Sequence, residues 1–409
     1  MSESRHQLGW VNDALADLDR QSLRRYPATC AAQPDGKLVV SDTTSGAWVA
    51  SGAQPSVREL ANFGANDYLA LARDPRLAAA AAQAASEAGW GAGASPLITG
   101  RTPWHTQLQA AIAAFEGTEA ALLFTSGFAT NAGTIPALVE RGDAVFGDHK
   151  NHASIIDGCR LSRAEVFVYP HADCVALEKM LQASAGEFRR RLIVTDTLFS
   201  MDGNLAPLPR LCELATQYDA MLMVDEAHAT GVFGVNGRGV AEHFGMEERV
   251  VIRVGTLSKA LGSHGGFVAG PQALIDYLAN RARSYVFATS PPAALAAASM
   301  QAVELVRNEP WRREQLLAKA ARVRGELRSQ GRNIGTAESQ IIPIVVGTPE
   351  CALQLSAELR QRGFFIPAIR PPSVPAGESL LRLSLSYGHS DELLDELLGH
   401  LKALSETTR

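Results

Sequence analysis

Lys259 lies in Val254-Gly-Thr-Leu-Ser-Lys-Ala-Leu-Gly-Ser-His-Gly-Gly266, between an apolar run (Val250, Val251, Ile252, Val254) and a glycine-rich turn. Burial opposes a lysine's charge, so a lysine in such a setting is seldom there without a task. Thr256 and Ser258 place hydroxyls beside it, and the glycines leave little bulk around it. That suits covalent capture of an aldehyde cofactor, with hydroxyls at hand for its phosphate. Taken alone, the plainer reading is a surface-loop lysine. Asp225 changes the balance, because it closes a second apolar run in Met221-Leu-Met-Val-Asp-Glu-Ala-His228. An acid on one strand end and an amine on a later one match the two ends of a pyridine aldehyde. His228, three residues on, could reach a phenolic oxygen on the same ring.

Other segments carry compatible chemistry. Leu122-Leu-Phe-Thr-Ser-Gly-Phe-Ala-Thr-Asn131 reads as a strand, a small-residue turn and a helix start. Unpaired amides there, at Ser126, Gly127 and Phe128, would bind phosphate, although Phe128 by itself reads as core. Neither a Gly-x-x-x-x-Gly-Lys-Ser/Thr loop nor a dinucleotide Gly-x-Gly-x-x-Gly at a strand–helix turn occurs. Gly234-Val-Asn-Gly-Arg-Gly239 matches the latter in spacing alone. An ATPase, a dehydrogenase and a helicase (despite Asp225-Glu-Ala-His228) are thereby disfavoured. His149 and His152 have only Asp148 near them at ligand spacing, so no metal is expected. His152 reads better as an aromatic lid on a cofactor face. Arg382, inside the apolar run Leu380-Leu-Arg-Leu-Ser-Leu385, needs an anion, and a substrate carboxylate would supply one; the plainer reading is a surface edge-strand arginine.

The elements that must position these residues follow from periodicity. Leu8, Val11, Leu15 and Leu18 predict an amphipathic N-terminal helix ending before Arg24-Arg25-Tyr26-Pro27. Lys37–Asp42 and Gly46–Ala50 read as a hairpin, and residues 51–58 as a loop. Apolar runs then recur at Ala120–Phe124, Ala144–Phe146, Glu165–Tyr169, Leu192–Thr195, Met221–Val224, Val250–Val254 and Phe267–Ala269, mostly separated by helical patterns. Strands buried on both faces look like this, which predicts an α/β fold with a mostly parallel central sheet covered by helices. A long helical stretch to about Gln330 precedes a smaller α+β unit with strands near Ile341–Val346 and Leu381–Leu385 and a closing helix, Glu392–Leu404. The expected division is an N-terminal segment (1–60), a large domain (61–300) and a small C-terminal domain (301–409).

Composition sets the outer bounds. The 409 residues are 46% hydrophobic and 20% charged, as in an ordinary globular protein with room for two domains. A net charge of −5 leaves no footprint for nucleic acid or an acidic membrane. Five scattered cysteines, with no signal peptide or membrane-length apolar run, point to a cytoplasmic protein.

Taken together, these segments resemble the α-oxoamine synthase family of pyridoxal-phosphate (PLP) enzymes. The resemblance runs through Asn66-Asp-Tyr-Leu69, Gly91-Ala-Gly-Ala-Ser95, Phe124-Thr-Ser-Gly-Phe128, Asn151-His-Ala-Ser154, Phe199-Ser-Met-Asp-Gly203, Asp225-Glu-Ala-His-Ala-Thr-Gly231, Gly237-Arg-Gly239 and Thr256-Leu-Ser-Lys259. It implies a fold-type I homodimer with active sites shared between subunits. Matched residue by residue, it makes Lys259 the lysine that carries PLP and Asp225 the partner of the pyridinium nitrogen. It stacks His152 on the ring and puts Ser200 and His228 at the ring oxygen. Ser126, Gly127, Phe128 and Thr256 fall near the phosphate, with Thr289 approaching from the other subunit. Asn66, Ser373, Arg382 and an N-terminal arginine (Arg24 or Arg25) fall on the substrate side. Within the family, Ala368-Ile-Arg-Pro-Pro-Ser-Val-Pro-Ala-Gly377 points to condensation of L-alanine with a pimeloyl thioester, carried on CoA or an acyl carrier protein. Departures are Asp196 where the family usually has glutamate, Ser373 for threonine, and a longer segment around Trp48 to Val57. The alternatives are a sister condensation of glycine or serine, an aminotransferase, and a silent partner subunit, which the presence of Lys259 disfavours.

Overall fold

A computed structural model describes residues 7–33, 36–42 and 56–406. The N-terminal strands are β1 (Thr29–Ala32), β2 (Lys37–Asp42) and β3 (Ser56–Asn62). Next come β4 (Ala120–Phe124), β5 (Ala144–Asp148), β6 (Glu165–Tyr169), β7 (Arg191–Asp196), β8 (Met221–Asp225), β9 (Ile252–Thr256) and β10 (Gly266–Gly270). The last are β11 (Ile341–Gly347), β12 (Phe364–Phe365), β13 (Ala368–Ile369) and β14 (Ser379–Ser384). Two compact units result: Asn66–Ala318, and Met1–Ala65 with Lys319–Arg409.

The larger unit is built on a seven-stranded sheet in the order β4-β10-β9-β8-β7-β5-β6. Only β10 runs antiparallel to its neighbours, which agrees with the mostly parallel sheet expected from the apolar runs. Leu122, Val145, Leu192, Met223, Val254 and Val268 from six strands pack with Ile135 and Ile155 from helices on one face. Burying each such side chain contributes about 1.5–3 kcal/mol, so the sheet is held mainly by what it hides. The strands also run further than their apolar stretches. β5, β7, β8 and β9 end on Asp148, Asp196, Asp225 and Thr256, all buried. In open parallel sheets the carboxyl ends of the strands are where ligands sit.

Three expectations are corrected. Ser56–Val57 and Arg58 belong to β3 and not to a loop, because they pair with Asp42, Ser41 and Val40 of β2; β12, from the far end of the chain, pairs in parallel with Ala61 and Asn62 further along β3. The strand read from Val250 begins at Ile252, after a short turn at Glu247–Arg249. The long helical stretch is two helices, Ala293–Asn308 and Trp311–Ser329, separated at Glu309 and Pro310. Gly46–Ala50, the expected hairpin partner, lies outside the described residues; β2 pairs instead with β1 and β3.

The smaller unit has two sheets, β1-β2-β3-β12, which joins N-terminal strands to C-terminal β12, and β11-β14-β13, which is wholly C-terminal. The N-terminal helix forms at Gly9–Arg20, and none of its residues is buried. His389 ties β3 to the C-terminal segment: its Nε2 donates to the Asn62 carbonyl at 3.0 Å, and its Nδ1 accepts from the Ser386 amide at 3.1 Å. Burial pushes its pKa down to about 4. A folded pKa below the unfolded value of about 6.5 means that the neutral ring contributes stability above pH 6.5, and that this is lost as pH falls toward 4. The expected loss is about 1.4 kcal/mol per pH unit across that window. Denaturant titrations at pH 7, 5.5 and 4.5 check it. His389→Gln should flatten the slope, and an unchanged slope refutes the assignment.

Candidate active site

Within the larger unit the strand ends assemble a polar cluster. Asp225 and Asp196 are register partners on β8 and β7. The Asp225 carboxylate accepts from the Ala227 amide at 2.8 Å and from Asn131 Nδ2 at 2.6 Å. Asn131 Nδ2 also donates to Ser154 Oγ at 2.9 Å, and Ser154 Oγ meets His152 Nδ1 at 2.7 Å. His152 caps the helix Ala153–Ser162 through Nδ1, and its own amide donates to Asp196 Oδ2 at 2.7 Å. Burial lowers the His152 pKa; the charge of Lys259 adds to this and that of Asp225 opposes it. His152 is therefore a neutral ring at pH 7, suited to lying against a cationic one. Burial, and then the neighbouring Asp225, hold the Asp196 carboxyl well above the usual carboxylate range.

Lys259 follows β9 in a turn braced by its own polar atoms. Thr256 Oγ1 donates to the Gly265 carbonyl at 2.8 Å, and the Gly262 amide donates to the Lys259 carbonyl at 2.9 Å. The two hydroxyls flanking Lys259 thus shape the turn: Ser258 Oγ also donates to the Gly265 carbonyl, at 3.2 Å. Gly262 has φ +62°, and a Cβ there would stand 2.3 Å from the Ala72 amide nitrogen. Only glycine lets the turn press this closely against residues 71–72. The charge of Lys259 pushes the pKa values of both His152 and Asp196 down.

At the other end, Ser126 caps the helix Gly127–Leu138 by accepting from the Ala129 amide. The Gly127 and Phe128 amides belong to the first turn, where no intrahelical acceptor exists. A Cβ on Gly127 would lie 3.6 Å from Thr256 Oγ1, so the helix start and the turn before Lys259 adjoin. A Cβ on Gly266 would sit 2.7 Å from the Gly127 nitrogen; a bare backbone there admits the helix start. Phe128 is 47% exposed, which overturns the core reading.

His228 Nδ1 is 2.7 Å from the hydroxyl of the buried Tyr68, which in turn donates to Asn66 Oδ1 at 3.0 Å. Ser200 is half-buried at the start of a turn closed by the Gly203 amide on the Phe199 carbonyl. Thr289 is exposed, beside an exposed Phe287. Arg24, Ser373 and Arg382 belong to the smaller unit. Arg382 is buried on β14, the middle strand of its sheet, and donates to Ser384 Oγ; it is not an edge-strand surface arginine. Arg24 is held by Asp19 at 2.6 Å, whereas Arg25 donates to Ser373 Oγ at 3.3 Å. Of the two arginines, Arg25 is the one that touches another expected substrate-side residue.

Sequence reading gave no role to Asn131, Ser154 or Tyr68, although all three lie inside quoted segments. A polar residue within an apolar helix face was the available signal for Asn131. Glu226 proves architectural: it accepts from Thr197 Oγ1 and from the Val240 and Ala241 amides.

An amine, a buried acid, a neutral imidazole and free helix amides are the donor set that PLP requires, so the residues fit that cofactor. Fold and site together define a fold-type I PLP enzyme. The family model for aminotransferase class I and II matches residues 58–401, and the chain belongs to that family. An 8-amino-7-oxononanoate synthase from Anaeromyxobacter dehalogenans is 47% identical over 401 residues, covering 98% of this chain and 96% of that one. A serine palmitoyltransferase from S. paucimobilis, with PLP and myriocin bound, is similar at TM-score 0.89 and 28% identity, covering 98% of both chains. An 8-amino-7-oxononanoate synthase from Francisella tularensis is similar at TM-score 0.74 and 26% identity, covering 85% of this chain and 98% of that one. These bear out the α-oxoamine synthase resemblance. Among the described residues, no helix is long and apolar enough to cross a membrane.

Proposed function

We propose that this chain condenses L-alanine with a pimeloyl thioester, with loss of carbon dioxide and release of the thiol, to give 8-amino-7-oxononanoate for biotin synthesis. The observation that carries this reading is 47% identity, over 98% of the chain, to a synthase of that name. The cluster around Lys259 agrees with it. PLP, when bound, supplies a protonated pyridine ring that draws electrons from the amino acid's Cα. Lys259 would hold the cofactor and, once displaced by the substrate amine, take the Cα proton on Nζ. Asp225, anchored by Asn131 and Ala227, would face the ring nitrogen and keep it protonated. Neutral His152 would cover the ring and orient the substrate carboxylate, with His228 and Ser200 at the ring oxygen. The Gly127 and Phe128 amides, beside Ser126 and Thr256, would receive the phosphate. Arg382 would pair with the amino acid's carboxylate, Asn66 would line the substrate side, and Arg25 with Ser373 would meet the acyl chain.

The same reading includes a homodimer in which Thr289 serves its partner's site. The thioester is carried on CoA or on an acyl carrier protein. Cytoplasmic residence is supported by five free thiols, two of them exposed. A second reading, with serine as the amino acid, draws on the TM-score of 0.89 to serine palmitoyltransferase; the 28% identity of that pair weighs against it. Absorbance spectra of PLP-loaded protein separate the two. L-alanine should shift the visible cofactor band and, with pimeloyl-CoA, release thiol. A response to serine or glycine but not to alanine would sink the proposal.

A further inference from the structure

We propose that Asn131 is a positioning residue of this site: its single amide group holds the Asp225 carboxylate in place and, through Ser154, holds His152 in one tautomer. This rests on the reading that Asp225 and His152 face the cofactor ring. The polarity of the chain of hydrogen bonds is forced. Turned the other way, the Asn131 amide would set Oδ1 against a carboxylate oxygen at 2.6 Å, acceptor to acceptor. Nδ2 therefore faces Asp225, and its second hydrogen goes to Ser154 Oγ. Ser154 accepts that bond, so its own hydrogen passes on to His152 Nδ1 at 2.7 Å. The Ser154 amide also donates to Nδ1, at 3.3 Å. A nitrogen with two donors on it carries no proton, so the His152 hydrogen must be on Nε2.

Two further observations mark the arrangement as built for orientation. Asn131 and Ser154 are 0% and 1% exposed, so water does not compete for either bond. Asn131 Oδ1 is buried with no hydrogen-bond partner among the described residues, a cost a fold tolerates where the donors' direction matters. Asn131 also stands on the helix whose first turn would receive the phosphate. One rigid helix thus sets both the phosphate end and the acid end of the cofactor.

Nitrogen-15 NMR of histidine-labelled, full-length, PLP-loaded protein tests this. Native protein should show His152 as the Nε2–H tautomer. Ser154→Ala leaves the bond from Asn131 to Asp225 intact but should populate the Nδ1–H form and raise the His152 titration midpoint. It should also lower kcat about tenfold, with KM for L-alanine changed by less than about twofold. Ser154→Thr, which keeps the hydroxyl, should restore all three readouts. Asn131→Ala should show the same tautomer change and weaken PLP binding as well. An unchanged tautomer in both alanine variants, or failure of Ser154→Thr to restore it, overturns the proposal. Borohydride fixation and peptide mapping separate the outcomes: cofactor found away from Lys259 would defeat the functional reading, while the tautomer result stands on its own.

Discussion

Replacing Lys259 with alanine should lower kcat by at least about 10⁴-fold, since one side chain serves as both covalent anchor and proton acceptor. The loss should be chemical and not structural. The turn that carries Lys259 is braced by Thr256 Oγ1, Ser258 Oγ and backbone bonds at Gly262 and Gly265, none of which uses the lysine side chain. The melting temperature should therefore stay within a few degrees of the parent. Its electrostatic reach should show as well: without the ammonium, His152 loses one of the two influences that hold its pKa down. Single-turnover kinetics with L-alanine, and a pH titration of His152, measure both effects. A variant that retains more than about a hundredth of the parent kcat would remove Lys259 from the chemistry.

The second large effect is expected at Asp225. Asparagine there is isosteric, yet it should cost about 10²–10³-fold in kcat/KM, the scale of losing one preorganised charge partner. It should also destabilise the fold by about 1–3 kcal/mol. The reason lies in the two donors that converge on the carboxylate, Asn131 Nδ2 and the Ala227 amide. An acid accepts both; an amide accepts one and turns a donor toward the other. Asp196 supplies an internal check. With the neighbouring charge removed, the upward push on its pKa weakens, although burial, the larger cause, remains. Activity and urea titrations of Asp225→Asn decide the matter. A variant with full kcat/KM and unchanged stability would mean that the acid faces no charge.

The legible parts of the molecule were those whose signals are local. Seven apolar runs marked the seven strands of the large sheet; in the inner strands this is because a strand covered on both faces has to be apolar along its length, whereas the edge strand β6 leaves Val166 and Val168 exposed. Their ends were less visible: Asp148, Asp196 and Asp225 interrupt the apolar pattern where the sheet opens onto the site. Residues 56–58 read as a loop because what makes them a strand is pairing with Val40–Asp42 of β2, across a dozen or more intervening residues. For Arg382, sequence left an exposed edge strand open beside the substrate-side reading; the flanking strands β11 and β13 make its strand central.

Residue types and spacing alone determined which groups were available here: an amine after one strand, an acid closing another, and small residues before a helix. Those are properties of neighbours in the chain, set by backbone geometry and burial. Which groups act on each other was decided only by folding. Asn131 meets Asp225 across 94 positions, and Tyr68 meets His228 across 160. A hydrogen bond depends on distance and direction in space, and the packing of helices on the sheet sets both.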